Sequence, residues 1–441
     1  MTYSEARRNI VFAASAKGFH NALRQLLAEQ DAAVIREIYI DLQSRLICWT
    51  LTDTVGKDEI AAAVKACGDY LRHAVSPDEL SAAEAEIRNI AECNSARLCA
   101  LHDAGKMGFI WGHDLCTGYE WSLRRGARFV TSNPAKINVF RKDYPARWAR
   151  IAEKVVTEHP DLTPEQRVSW CWVECVAQIA RELRPIYEAS GGKYGFVCIQ
   201  PNPTKLEDSQ AMIDEIRFFE QAFRGIFHTW DPNIVYKVPA VPAARAVVRT
   251  LRGDGLRLCM TLNFSVFQHD TFGDLLGTGD HGDFLVLMGG IVDDFVKKEL
   301  IAQGMEEAAA TELSHSAATA ILNRSYANNR RKGIDPIIMA GSARGPWSTE
   351  AVLCSDAGHP VAITSMAKMI QVYDEQKWEI RDVIRQPLDA QKLSALEKSG
   401  IFRAAYDPKG LSDENILEYP PLQFVSDSFI TAYRETLESL R

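Results

Sequence analysis

Between residues 107 and 370, short apolar runs alternate with longer helix-forming stretches, and this alternation limits the fold more than any other feature of the chain. The runs are Gly108–Asp114, Ala127–Asn133, Tyr194–Gln200, Asn233–Pro239, Leu256–Leu262, Asp283–Gly289, Asp335–Gly341 and His359–Ser365. Each is bounded by turn residues and followed by helical sequence. Strands separated by helices indicate βαβ units and a parallel sheet. Eight units in roughly 270 residues match a (β/α)8 barrel, and a doubly wound open sheet is the alternative. The fold class expected is therefore α/β, a (β/α)8 TIM barrel with an added helical N-terminal region and C-terminal helices.

Residues 1–105 read as helical, with apolar residues spaced three and four apart in 5–29, 31–52, 57–75 and 78–104. Ser76-Pro77-Asp78-Glu79 has the pattern of a helix start. This extension contains no glycine-rich loop and no cluster of catalytic groups, which suits a packing or oligomerisation layer. The barrel is expected over 106–375 and a C-terminal helical segment over 376–441. There, a polar stretch at 405–418 precedes a final helix near 421–440, with Phe424, Phe429 and Tyr433 as its apolar face.

Composition removes several classes of function. Lys+Arg is 50 against Asp+Glu 58, a net charge of −8 with no basic block, which argues against nucleic acid or an anionic membrane as partner. The most apolar stretch, Phe284–Val292, is too short to span a bilayer. The ten cysteines form no C-x-x-C pair, and Cys171 and Cys175 read as buried helix residues rather than metal ligands. A reducing cytoplasm is the simplest compartment. No metal and no cofactor is called for.

Polar residues collect at the C-terminal ends of the runs: Asp114, Asn133, Gln200, Lys237, Thr261, Ser342 and Arg344. In a barrel those ends form the mouth where active sites sit. Lys237 is the sharpest signal. Strand alternation puts it on one face with Asn233 and Val235, facing either the barrel interior or the outer helices. Lysine is rarely buried without a reason, and burial favours the free amine that a Schiff base requires. Ser342 and Arg344, in the small-residue loop MAGSARG, suit an anion site. The G-x-G-x-x-G match at 277–282 follows a helix and precedes a strand, the wrong context for a dinucleotide fingerprint. His315 reads as a surface or satisfied histidine.

These segments together resemble the transaldolase family. TSNPAKI at 131–137 looks like that family's TTNPSLI, and NIVYKVPA at 233–240 is similar to its NVLIKIPA, with the lysine aligned. MTLNFSVFQ at 260–268 resembles TLLFS-x-x-Q, and MAGSARG at 339–345 resembles MGASFRN. The resemblance covers about 107–370 in matching order. It implies a (β/α)8 enzyme that transfers a three-carbon dihydroxyacetone unit from a ketose (phosphate) donor to an aldose acceptor, in carbohydrate metabolism of the pentose phosphate type. It also implies roles: Lys237 as the imine lysine, Asp114 as acid and base, and Thr261 positioning the imine or its water. Asn133 would bind the dihydroxyacetone hydroxyls, Gln200 would orient water, and Ser342 and Arg344 would hold a distal phosphate. Partners would be small sugars or sugar phosphates, and a homo-oligomer is compatible with the helical extension.

The sequence departs from that pattern at four places. Cys198 stands where the family has a glutamate in its third strand, and Cys259 where it has an asparagine. Leu285 replaces a serine, and Gly290 replaces an arginine that helps bind phosphate. The alternatives are a class I aldolase releasing dihydroxyacetone, and a non-catalytic, transaldolase-like assembly protein.

Overall fold

The computed structural model describes residues 1–50, 55–279 and 282–440. Eight strands form a closed parallel barrel in sequence order: β1 (Phe109–His113), β2 (Phe129–Val130), β3 (Val197–Ile199), β4 (Ile234–Pro239), β5 (Leu258–Asn263), β6 (Phe284–Leu287), β7 (Ile337–Ala340) and β8 (Val361–Ser365). Each lies inside or overlaps one of the expected runs, and β8 closes on β1 from Phe109 opposite Val361 to His113 opposite Ser365. The open-sheet alternative is excluded by that closure.

Strand alternation sorts the side chains between core and helices. On β4, Tyr236 points outward and donates to Glu220 of the helix Ser209–Phe227, whereas Val235 joins the barrel interior. The lower half of that interior is filled by rings. Phe129 stacks on Phe196 at 4.9 Å, and Phe284 lies 5.3 Å from Phe196. Gly112 is required here, because a Cβ would enter the Phe129 ring. This apolar plug separates the two ends of the barrel.

The N-terminal extension is helical, but its segments are shorter than expected. The first breaks where Ser15 caps the helix Ala16–Glu29 by accepting from the Gly18 amide. The helix Pro77–Glu92 starts as expected, with Ser76 and Glu79 capping each other's backbone amides, and gives way at Cys93 to the helix Asn94–Asp103. Residues 51 and 52 of the second expected helix, and Asp280 and His281 of the glycine motif, lie outside the described residues. Arg128, fully buried just before β2, ties this extension to the barrel. It pairs with Asp103 at 2.9 Å, donates to the Cys48 carbonyl at 2.9 Å and lies 3.9 Å from the Trp49 ring centroid.

The final helix, Pro420–Glu438, buries Phe429 and Tyr433. Phe424 departs from the expected apolar face: it is 54% exposed and lies against Phe295 at the rim of the barrel mouth. All ten cysteines are free and buried, including Cys171 and Cys175. Among the described residues no helix is long and apolar enough to cross a membrane.

Candidate active site at the barrel mouth

A cavity of about 200 Å³ at the C-terminal end of the barrel is lined by Asp114, Asn133, Lys136, Ser342 and Arg344, under an apolar roof that includes Met288 and Phe429. A larger cavity of about 670 Å³ opens at the opposite end, among Tyr187, Arg257 and Asp335. None of the residues expected from the sequence lines it, and the N-terminal face of such barrels ordinarily serves stability. The smaller cavity is the one that gathers residues expected from the sequence.

Lys237 is buried on β4 opposite Cys259. By alternation from Val235 it faces the interior, which resolves the two faces left open by the sequence. Asp114 follows β1, its amide donating to the Ser365 carbonyl at 3.0 Å. The Thr131 hydroxyl donates to Asp114 Oδ1 at 2.8 Å, and Lys136 Nζ lies 3.3 Å from Oδ2. Burial pushes the Asp114 carboxyl upward. The Lys136 and Lys237 ammoniums and the Thr131 hydrogen bond outweigh it and hold the group below the usual carboxylate range. Among the described residues no ion pair joins Asp114 to Lys237, so the two are electrostatically linked without direct contact.

Asn133 caps the helix Pro134–Asp143, its Oδ1 accepting from the Lys136 amide at 2.9 Å. The carbonyl half of its amide is thus engaged, and the NH₂ half is the part available to a ligand. Thr261 sits beside a bulge where the β5–β6 register shifts between Met260 and Asn263. Leu262 at that bulge has φ 49°, a left-handed conformation that costs a leucine on the order of 1–3 kcal/mol. Gln268 holds the distortion in place. Its Nε2 donates to the carbonyls of Ala240 at 2.7 Å and Leu262 at 2.9 Å, while its Oε1 accepts from the Phe264 amide and the Ser265 hydroxyl. One buried side chain therefore fixes the end of the Lys237 strand against the end of the Thr261 strand.

Lys237, Thr261 and Gln200 do not line the 200 Å³ cavity; of the expected residues it gathers Asp114, Asn133, Ser342 and Arg344. Gln200 lies apart. Its Oε1 is buried without a protein partner, beside a space of about 10 Å³ shared with Pro239 and Leu262, which is the size one water needs. In the interior, Cys259 is the β5 register partner of Lys237 and Cys198 the β3 register partner of Val235, and the two thiols interact. Burial raises both thiols, but a hydrogen bond from Cys259 and the Lys237 charge bring Cys198 below the usual thiol value, while Cys259 stays well above it. Arg344 lies at the mouth but is already paired, Nε donating to Asp294 at 2.9 Å and Nη1 to the Ser342 carbonyl at 3.0 Å. His315 stacks on Trp347 at 3.5 Å, away from this group.

Three residues grouped around Asp114 are not among those expected from the sequence: Thr131, Lys136 and Thr364. Thr131 Oγ1 lies 2.5 Å from Thr364 Oγ1, linking β2 to β8 under Asp114. Alternation back from Asn133 already puts Thr131 on the interior face, so it was findable. Lys136 was not, because the rotation of the helix it starts decides where its ammonium goes. Among the described residues no group of three or more His, Cys, Asp or Glu side chains could hold a metal.

The sequence profile of the family described as Transaldolase/Fructose-6-phosphate aldolase matches residues 119–377. A transaldolase of Neisseria meningitidis serogroup C / serotype 2a is 32% identical over 146 residues, 33% of this chain and 39% of that protein. Transaldolase 2 of Nostoc sp. is 36% identical over 84 residues, 19% of this chain and 20% of its own. Transaldolase 1 of Streptomyces avermitilis is 27% identical over 140 residues, 32% of this chain and 35% of its own. The matched part thus spans about two fifths of the Neisseria relative. With the family profile covering more than half of the sequence and a closed eight-stranded parallel barrel underlying it, the chain belongs to the transaldolase/fructose-6-phosphate aldolase family.

Proposed function

We propose that this protein is a Schiff-base transaldolase, moving a dihydroxyacetone unit from a ketose to an aldehyde acceptor. The observation that carries the reading is the placement of a buried lysine and an ionised carboxylate at the same barrel end, linked electrostatically but not in contact. In this scheme the Lys237 amine adds to the donor's C2 carbonyl, and loss of water gives an iminium. Asp114 takes the proton of the C4 hydroxyl, the C3–C4 bond breaks, and its electron pair flows into the iminium to leave an enamine. The aldose departs. The enamine carbon then attacks an acceptor aldehyde, and Asp114 returns its proton to the new alkoxide. Water hydrolyses the imine and regenerates Lys237. The Asn133 NH₂ group binds the hydroxyls of the three-carbon unit, Thr261 positions the imine, and Gln200 orients a water. Ser342 and Arg344 line the distal end.

An aldolase that releases dihydroxyacetone uses the same first steps and differs in whether the enamine carbon is protonated, so that water hydrolyses the resulting iminium, or attacks an aldehyde. Cys198, in place of the glutamate implied by the resemblance, provides no carboxylate base for water, which favours transfer. Borohydride reduction in the presence of a ketose, followed by mass spectrometry, tests the reading. One three-carbon adduct on the peptide containing Lys237 is expected, and it should disappear in Lys237→Ala. Adducts on another lysine, or trapping unchanged in that variant, would sink it.

A further inference from the structure

The distal end of the mouth is arranged differently from a phosphate cradle. Ser342 has φ 60°, a left-handed conformation uncommon for a residue with a side chain. Its carbonyl oxygen lies against Gly290, at the start of the helix Gly289–Ala302. A Cβ on Gly290 would collide with that oxygen and come within 2.8 Å of Arg344 Cγ, so no longer residue fits at 290 with the loop in this position. The start of a helix attracts anions through its free amides. Here a carbonyl oxygen, itself partly negative, lies beside the first turn at Gly290.

The two cations of the cavity wall are also engaged. Arg344 is held by Asp294 and the Ser342 carbonyl, and Lys136 by Asp114. A phosphate dianion entering here would meet the Asp294 carboxylate beside Arg344 and face the Ser342 carbonyl, with only the remaining N–H groups of the guanidinium to receive it. The remaining wall combines apolar side chains, including Met288, Ile291, Phe424 and Phe429, with the serines Ser365 and Ser428. Those two hydroxyls can hydrogen-bond the terminal hydroxyl of an uncharged chain and carry no charge to offset a phosphate.

Resting on the Lys237 reading above, we infer that the substrates of this site end in a neutral group: an unphosphorylated hydroxyketone as donor and an uncharged aldehyde as acceptor. The 342–344 loop, the Asp294 carboxylate beside Arg344 and the absence of a second arginine at Gly290 together disfavour the phosphate implied by the sequence resemblance.

The test pairs fructose with fructose 6-phosphate as donors, and glyceraldehyde with glyceraldehyde 3-phosphate as acceptors, using the full chain. Borohydride trapping on Lys237 is followed in parallel. The expected result is a kcat/KM at least about 10-fold higher for the neutral member of each pair, one charge-assisted contact's worth of discrimination. Asp294→Asn should release Arg344 and raise kcat/KM for the phosphorylated members by about 10-fold, with the neutral ones changed less than about 3-fold. Trapping on Lys237 combined with equal or better use of the phosphorylated substrates overturns the neutral-end inference and leaves the imine reading standing. Absence of trapping with every donor overturns both.

Discussion

Lys136 offers the most quantitative test, because its ammonium is one of two that keep Asp114 ionised. The perturbation is Lys136→Met, which keeps the stem and removes the charge. At 3.3 Å the gross attraction is about 5 kcal/mol for an effective dielectric of about 20. Both partners keep contact with water, the lysine side chain being 19% and the aspartate 14% exposed. Hydration therefore offsets most of that figure, leaving about 1–2 kcal/mol, the range of a charge-assisted hydrogen bond. This corresponds to a rise of about one unit in the Asp114 pKa. The sign follows from the charged form: an adjacent ammonium favours the carboxylate, so its loss favours the acid. Cleavage requires the carboxylate as base, so the acid limb of kcat should move up by about one unit while the rate on the plateau stays within a few-fold. Lys136→Arg should leave the limb in place. The assay is the pH profile of donor cleavage for the three proteins. A limb that moves by less than about 0.3 unit in Lys136→Met would refute the electrostatic role assigned to this residue.

Three further outcomes are expected. Gln268→Leu removes both clamps between the ends of β4 and β5, and should lower kcat by more than about 10-fold while the protein stays folded by circular dichroism; a normal kcat would mean that the bulge holds itself. His269 is fully buried, and burial brings it down to about 3. The unfolded chain therefore takes up a proton near pH 6.5 that the folded one refuses, and stability should fall as the pH drops below that value, by about 2 kcal/mol at pH 5. Denaturant melts of His269→Leu should lose most of that decline, and an unchanged slope would contradict the assignment. Asp103→Ala leaves Arg128 buried without its partner and should cost about 3–5 kcal/mol in chemical denaturation. A cost under about 1 kcal/mol would show that the N-terminal extension is not anchored through this pair.

The strand pattern was legible because a barrel strand is a local object: a few apolar residues between turn formers, repeated with helices between. Lys237 stood out for the same reason, a charged side chain inside such a run, and Asp114 and Asn133 followed from their places at strand ends. None of that depends on which distant segment lies opposite. The rest depended on contacts between residues far apart in the chain. Lys136 reaches Asp114 only because a helix begins at Pro134 beside the end of β1. The sequence resemblance set Arg344 against a phosphate, yet Asp294, 50 positions away, holds its guanidinium. Gly290 reads as a missing arginine in the sequence, but the folded chain shows the Ser342 carbonyl in its place. Periodicity along a strand or helix is a property of neighbouring residues. The occupancy of a pocket is a property of whichever loops close over it, and only the packed barrel brings the 342–344 loop, the helix after β6 and the final helix to the same few ångströms.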